Sequence, residues 1–412
     1  MINKIDCSDR AFHDWYRFVL SFPPHLVREY IRKFELKTGQ TILDPFCGTG
    51  TTIVEAKLRG LKGIGIEANP MAHFASSVKT NWDTNPDKLE IHSKQMAESA
   101  KDIIDRNQQP MKVLQEEAYG LLLKDSISLL PLHKALVLLD QIKMLKDDEC
   151  YQYELLGFAK VLVYCASNLC FGPEVGVTRT KKTDAPVVEK WLSEIKMIAQ
   201  DIRLANNKTT YAARIFNRDA RELENLLEPR SIDGVFTSPP YPNEKDYSRT
   251  TRLESVMLGF INNKDELRKH KKNLIRSNTR TVYKGDNDDI WIEENKVIKN
   301  IAERIEARRI ELGKTSGFEK LYGKVTKLYF GGMARHLAGL RPLLKPGAYL
   351  GYVVGDQASY FQIMIRTGEI LSEIAKSLGY EHVRTDLFRT RLATATKQQM
   401  REEVIVLRWP GT

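Results

Sequence analysis

TILDPFCGTGTT, residues 41–52, runs from a short apolar stretch into a bend that holds two glycines. Gly48 and Gly50 let the backbone turn tightly and approach a ligand closely, and a helix beginning near Thr51 aims its first N–H groups at the same place. Strand, glycine loop and helix in that order open a nucleotide-type pocket in an α/β fold. The spacing departs from the GxGxxG of dinucleotide sites, because no third glycine follows at that offset. A pyrophosphate is therefore a poorer occupant than an uncharged or zwitterionic ligand. Asp44, just ahead of the loop, points the same way, since a carboxylate repels phosphate and attracts an ammonium group.

Working outward, strand-like runs fall at 41–43, 62–66, 213–217, 233–237, 348–354, 382–388 and 403–409. The first five each lead into a helical pattern, and the last two, joined by a polar loop, suit an antiparallel hairpin. Strands alternating with helices predict a seven-stranded, mostly parallel, doubly wound sheet. Between the second and third strands, residues 85–210 carry helical periodicity, as in the leucines of 129–139 and the run 151–164. That stretch exceeds what one crossover needs and reads as an inserted helical subdomain, with a possible share in target recognition. The sheet domain is then discontinuous, 1–84 and 211–412, and carries a second, charge-dense basic insertion at 262–323.

Of the 412 residues, 42% are hydrophobic and 28% charged, with a net charge of +10, ordinary for a globular protein but tilted toward a polyanionic partner. The first residues lack the apolar core of a secretory signal. The greasiest run, 155–171, falls short of the roughly 20 residues of a membrane span and contains Lys160 and Asn168. The five cysteines form no CxxC pair, so neither a structural metal nor a disulfide framework is expected. A cytoplasmic protein without membrane contact or metal fits these signs.

Two more acids follow strands. Glu67 closes KGIGIE, where a carboxylate can accept from both ribose hydroxyls, and Asp219 in NRDA follows the third strand, where an adenine amino group could be received. Each alone reads as well as a helix cap. Three acids after three successive strands beside one glycine loop are harder to read as three caps. After the fourth strand comes TSPPY, residues 237–241. Pro239 and Pro240 cannot extend a ladder and stiffen the turn, so Ser238 and Tyr241 are presented at a strand tip.

DPFCGTGTT, GIE, NRDA and TSPPY, in this order, resemble the motifs of the amino-group DNA methyltransferases, over residues 15–84 and 211–412. FPPHLVREYIRKF, residues 22–34, is similar to that family's cofactor-closing segment, though FPPH reads also as a turn before a helix. LLKPGAYLGYVVGD, residues 343–356, is similar to its fifth strand. The resemblance implies a Rossmann-like class I methyltransferase fold and S-adenosylmethionine as cofactor. It sets Phe22, Pro24, Asp44, Pro45, Phe46, Gly48, Gly50, Thr51, Glu67, Asp219 and Ala220 at that cofactor, and Ser238, Pro239, Pro240 and Tyr241 at the reaction. An exocyclic amine is a poor nucleophile while its lone pair is delocalised into the ring. Acceptors on its N–H bonds, Ser238 Oγ and the Pro239 carbonyl, would favour the reactive pyramidal nitrogen, with Tyr241 stacking on a base drawn out of the duplex. Chemistry through cytosine C5 needs a nucleophilic cysteine, and none is so placed; Cys47 reads as a small packed residue.

Serine before the diproline leans toward cytosine N4, with adenine N6 as the alternative. An RNA amino-methyltransferase and a catalytically silent nucleic-acid-binding relative are further alternatives. Double-stranded DNA is the expected partner, with a cognate restriction enzyme a further possibility. Candidate DNA contacts are Arg249 and Arg252 in 248–252, Lys271, Lys272, Arg276 and Arg280 in 268–280, and Arg389 and Arg391 in 389–399. The run 268–280 reads equally as a solvated helix face.

Overall fold

The computed structural model of the protein describes residues 6–18, 21–106, 110–172, 174–205, 211–243, 245–392 and 398–411. The chain opens with α1 (Pro24–Lys33), β1 (Thr41–Asp44), α2 (Thr51–Leu58), β2 (Lys62–Ile66) and α3 (Pro70–Thr80). The helical excursion follows, with α4 (Pro86–Arg106), α5 (Glu116–Tyr119), α6 (Leu129–Met144), α7 (Tyr151–Val161) and α8 (Val187–Ala205), and between the last two β3 (Leu169–Phe171) and β4 (Val175–Val177). The chain returns through β5 (Arg214–Phe216) and β6 (Ile232–Thr237) to α9 (Tyr247–Thr250), α10 (Arg252–Met257), α11 (Lys264–Lys272), α12 (Lys296–Glu311) and α13 (Tyr322–Leu340). It ends with β7 (Leu344–Gly355), α14 (Thr367–Ser377), β8 (Glu381–Leu392) and β9 (Gln399–Arg408).

Seven strands form one sheet in the order β5-β2-β1-β6-β7-β9-β8. Pairings among β5, β2, β1, β6 and β7 are parallel, while β7–β9 and β9–β8 are antiparallel. All seven strands expected from the sequence are present, most of them longer than their sequence signal. The hairpin β3–β4 was not expected; it is a small antiparallel pair within the helical excursion.

Alternate residues of the central strands face opposite layers, as period-two geometry requires. On one face Ile42, Phe236, Val353, Val404 and Val406 meet α1, where Tyr30 stacks on Phe236 at 4.9 Å. On the other, Leu43, Val235, Leu350, Tyr352 and Ile405 meet α12, α13 and α14. Helices on both faces make the sheet doubly wound. The helical excursion packs around Trp191, Leu138, Tyr153 and Ile195 in a core shared with Val54 of α2, Met71 and Ala75 of α3 and Leu253 of α10, which also buries Trp15 and Phe12 from the N-terminal segment. Asp201 of α8 fixes that segment by accepting from Phe12 N and Trp15 Nε1, both at 2.8 Å.

Two sequence expectations are revised. No helix follows the third strand; residues 217–231 are turns, organised by a buried Arg221 rather than by helical periodicity. The stretch 262–323 does not stand off the sheet: Ile275, Ile292, Ile298, Ile301 and Ile305 belong to the buried core, spaced too widely among charged residues to show as a run.

Candidate active site

The glycine loop is fixed from beneath. Cys47 N donates to Ile66 O at 3.0 Å, holding the loop across the tip of β2. Gly50 caps α2 at φ 84°, and a Cβ there would stand 3.0 Å from Ser76 Cβ, so glycine is required twice over, by backbone and by space. Gly48, also at positive φ, donates its N–H to Glu67 Oε2 at 2.8 Å. Glu67 Oε1 accepts from Asn69 N at 2.7 Å. Each carboxylate oxygen is thus used once by backbone and keeps acceptor capacity toward the cavity, the set a pair of ribose hydroxyls needs. Burial pushes the Glu67 carboxyl up to about 7, against the backbone N–H groups of Asn69, Gly48 and Ala68, which lower it.

The second wall is the tip of β6. Parallel pairing sets β1 and β6 side by side, Ile42 opposite Gly234 and Leu43 opposite Val235. Their ends are tied by Thr237 Oγ1, which donates to Asp44 Oδ1 at 2.5 Å, and by Thr52 Oγ1, which donates to Phe236 O at 3.2 Å. The loop and the Ser238–Tyr241 tip therefore open into one cavity of about 280 Å³. There Ser238 Oγ donates to Val353 O at 3.2 Å. With its proton directed at a backbone carbonyl, the hydroxyl can offer only lone pairs to a ligand. The Tyr241 phenol lies within hydrogen-bonding reach of Ser238, and burial, with Glu402 nearby, keeps it un-ionised.

Most cofactor and reaction candidates line this cavity: Phe22, Pro45, Phe46, Gly48, Thr51, Glu67, Asp219 and Ala220, with Ser238, Pro239, Pro240 and Tyr241. Pro24, Asp44 and Gly50 are not among its lining residues. Pro24 starts α1, and Gly50 shapes the turn. Asp44 is fully buried between strand tips and faces Thr237; burial raises its carboxyl to about 6. Its Oδ1 clasps the two strand tips, while among the described residues its buried Oδ2 has no partner. Asp219 does line the cavity, but its Oδ1 accepts from Arg221 N and Nε, and its Oδ2 from Arg221 Nε and Nη2. Arg221 in turn pairs with Asp288. Little of Asp219 is left for an adenine amino group.

The basic candidates divide. Arg389 and Arg391 stand at the cavity, Arg389 paired with Glu402 at 2.6 Å. Their loop continues through 393–397, outside the described residues. Lys272 and Arg280 are exposed. Arg276, only 4% exposed, pairs with Asp286 and donates to the carbonyls of Lys271 and Lys272, so it holds its loop and is closed to a phosphate. Lys271 pairs with the buried Asp246. Arg252 donates to Ser248 O and Leu121 O, joining α10 to the helical excursion, and Arg249 is half-buried. Charge is legible in a sequence, but whether a neighbour has already taken it is not.

Other residues of the site carried no sequence signal. His336 of α13, fully buried and pushed down to about 4 by desolvation, joins Ala220 O to the Tyr352 hydroxyl, 2.8 Å on each side, and braces the wall beneath Phe46. Asn243, Lys245, Tyr247, Asn273 and Asn278 also line the cavity. Far from it, His92, Cys150 and Glu154 lie within 4.8 Å of one another, with His92 bonded directly to Glu154 at 2.7 Å. Among the described residues no helix is long and apolar enough to cross a membrane.

Residues 8–76 match the family described as DNA methylase. Over 97% of its length the chain is 25% identical to the type II methyltransferase M.BsoBI of Geobacillus stearothermophilus, of which the match spans 85%. It is 22% identical to the type II methyltransferase M.AvaI of a Nostoc species, over 89% of this chain and 78% of that one. Among solved structures it is similar to TrmN from Thermus thermophilus, 11% identical over 97% of this chain and 53% of that one, with a TM-score of 0.31.

Proposed function

We propose that this chain, a member of the amino-group DNA methyltransferases, methylates the exocyclic amine of a base in double-stranded DNA, and that the base is cytosine, methylated at N4. The observation that carries the reading is the shared cavity of the glycine loop and the Ser238–Tyr241 tip, clasped by Asp44 and Thr237. S-adenosylmethionine, when bound, supplies an electrophilic methyl group. The residues present suit it: Glu67 has acceptor capacity for a ribose diol, the bend at Gly48 and Gly50 gives backbone close access, and Phe22 and Phe46 offer apolar walls.

Toward the base, the chain supplies acceptors. Ser238 Oγ, its own proton held by Val353 O, accepts one amine N–H, and the Pro239 carbonyl accepts the other. Two acceptors favour a pyramidal nitrogen with its lone pair free to attack. No strong base is needed, because the nitrogen proton becomes acidic as that lone pair is used. Tyr241 gives the base a stacking surface worth about 1 to 3 kcal/mol, comparable to the cost of drawing it from the duplex. The cytosine assignment rests on serine at 238, a neutral acceptor where a carboxylate or amide would suit adenine. The relatives named as type II methyltransferases make a restriction endonuclease of the same target sequence the natural companion.

The test is direct. Incubate the protein with duplex DNA and the methyl donor, digest to nucleosides, and identify the modified base by mass. N4-methylcytosine is expected. N6-methyladenine would overturn the choice of base, and modification of RNA in place of DNA would overturn the choice of substrate.

A further inference from the structure

We propose that Lys245 is a specificity-determining residue that donates to the ring carbonyl of the target cytosine. The inference rests on the cytosine reading above and deepens it. Lys245 lines the same cavity as Ser238 and Tyr241 and is only half-buried. Its place is fixed from the opposite wall: Asn278 Nδ2 donates to Lys245 O at 3.0 Å, and Asn243 N donates to Ser277 O at 3.2 Å. The backbone is therefore set before a substrate arrives.

Its charge is what distinguishes it. The neighbouring cations are engaged: Lys271 with Asp246 at 2.8 Å, Arg276 with Asp286 at 2.8 Å and Arg389 with Glu402 at 2.6 Å. Among the described residues, no carboxylate lies within ion-pair distance of the Lys245 ammonium; Glu174 and Glu402 act on it from farther away. Burial, with Arg391 nearby, holds it below the ordinary lysine range. A partly desolvated cation with no ion-pair partner among the described residues gains from a ligand that supplies an acceptor as it displaces the remaining water.

The acceptor follows from position. The exposed Lys272 and Arg280 stand outside the cavity lining, where a phosphodiester oxygen can meet them. What reaches the interior beside Ser238 is the base. Along its pairing edge cytosine presents amine, ring nitrogen and carbonyl oxygen, whereas adenine presents amine, ring nitrogen and a C–H. An ammonium beyond the amine site rewards the first and leaves itself unpaired against the second, and sites of that kind discriminate strongly.

The experiment uses the full chain and duplexes carrying, at the mapped target position, either cytosine or the C-nucleoside of 2-aminopyridine, which keeps the amine and ring nitrogen but lacks the carbonyl. Wild type should methylate cytosine faster than the analogue by roughly 10²-fold in single turnover, the scale of one lost hydrogen bond to a charged group. Lys245→Met should lose that preference while keeping S-adenosylmethionine affinity and the salt dependence of DNA binding. Lys245→Leu, which also lacks a donor, gives the same comparison should the first variant lose cofactor affinity. A variant as selective as wild type overturns the inference. So does an unchanged rate with a shallower salt dependence, which assigns Lys245 to a phosphate. Wild-type methylation of adenine overturns the cytosine reading as well, an outcome that needs no variant to detect.

Discussion

Ser238 reaches its proposed role through a bond it makes elsewhere: by donating to Val353 O, it is left an acceptor. Ser238→Ala should therefore lower the methylation rate about 10²- to 10³-fold, the scale of losing one preorganised partner of a reacting group. Cofactor affinity measured by calorimetry should not change; equal losses in both would merge the two roles. Glu67 makes a second expectation. With its carboxyl raised to about 7 by burial, it is protonated below that pH and gains full acceptor strength above it. Affinity for S-adenosylmethionine should rise between pH 6 and 8 and level off, and Glu67→Gln should flatten the curve. The residue types of this site were legible in the sequence because each strand tip carried one. Their orientations were not. A sequence does not show that Arg221 reaches both oxygens of Asp219 first, or that Thr237 takes one oxygen of Asp44.

Elements were the most legible level, since apolar runs of period two and acids at strand ends follow from local geometry, and every main-sheet strand stood where that pattern set it. What escaped was local order imposed by distant groups. Residues 217–231 are shaped by Arg221, with Asp288 about seventy positions away, and no window of sequence contains both. The N-terminal segment is a similar case, pinned to the rest by Tyr16, which donates to the buried Glu254 of α10. Burial raises the Glu254 carboxyl from its ordinary 4.5 to about 7. The folded protein then binds this proton more tightly than the unfolded chain does. Stability from this group is greatest below pH 4.5 and is lost as pH rises to about 7. At roughly 1.36 kcal/mol per pKa unit the loss is about 3 kcal/mol. Glu254→Gln keeps the acceptor for Tyr16 and should remove that slope from melting temperatures measured across pH 4.5 to 8; a slope unchanged from wild type would rule out Glu254 as its source.

For the whole molecule, a net charge of +10 pointed to a polyanion, and the structure narrows which cations are free to meet one. Replacing both Lys272 and Arg280 by Gln should lower the slope of log affinity for DNA against log salt by about two, near one per phosphate contact, with the melting temperature unchanged. Arg276→Ala should instead cost stability, about 3 kcal/mol, by stranding Asp286. Denaturant titration of both variants separates these outcomes. The helical excursion leaves the sheet after β2 and re-enters at β5, the outermost strand, while the glycine loop and the Ser238–Tyr241 tip belong to β1 and β6 farther in. Changes in the excursion that spare its packing against α2, α3 and α10 therefore leave those two tips where they are. Divergence among relatives should accordingly gather on the outward faces of that one contiguous block of the gene.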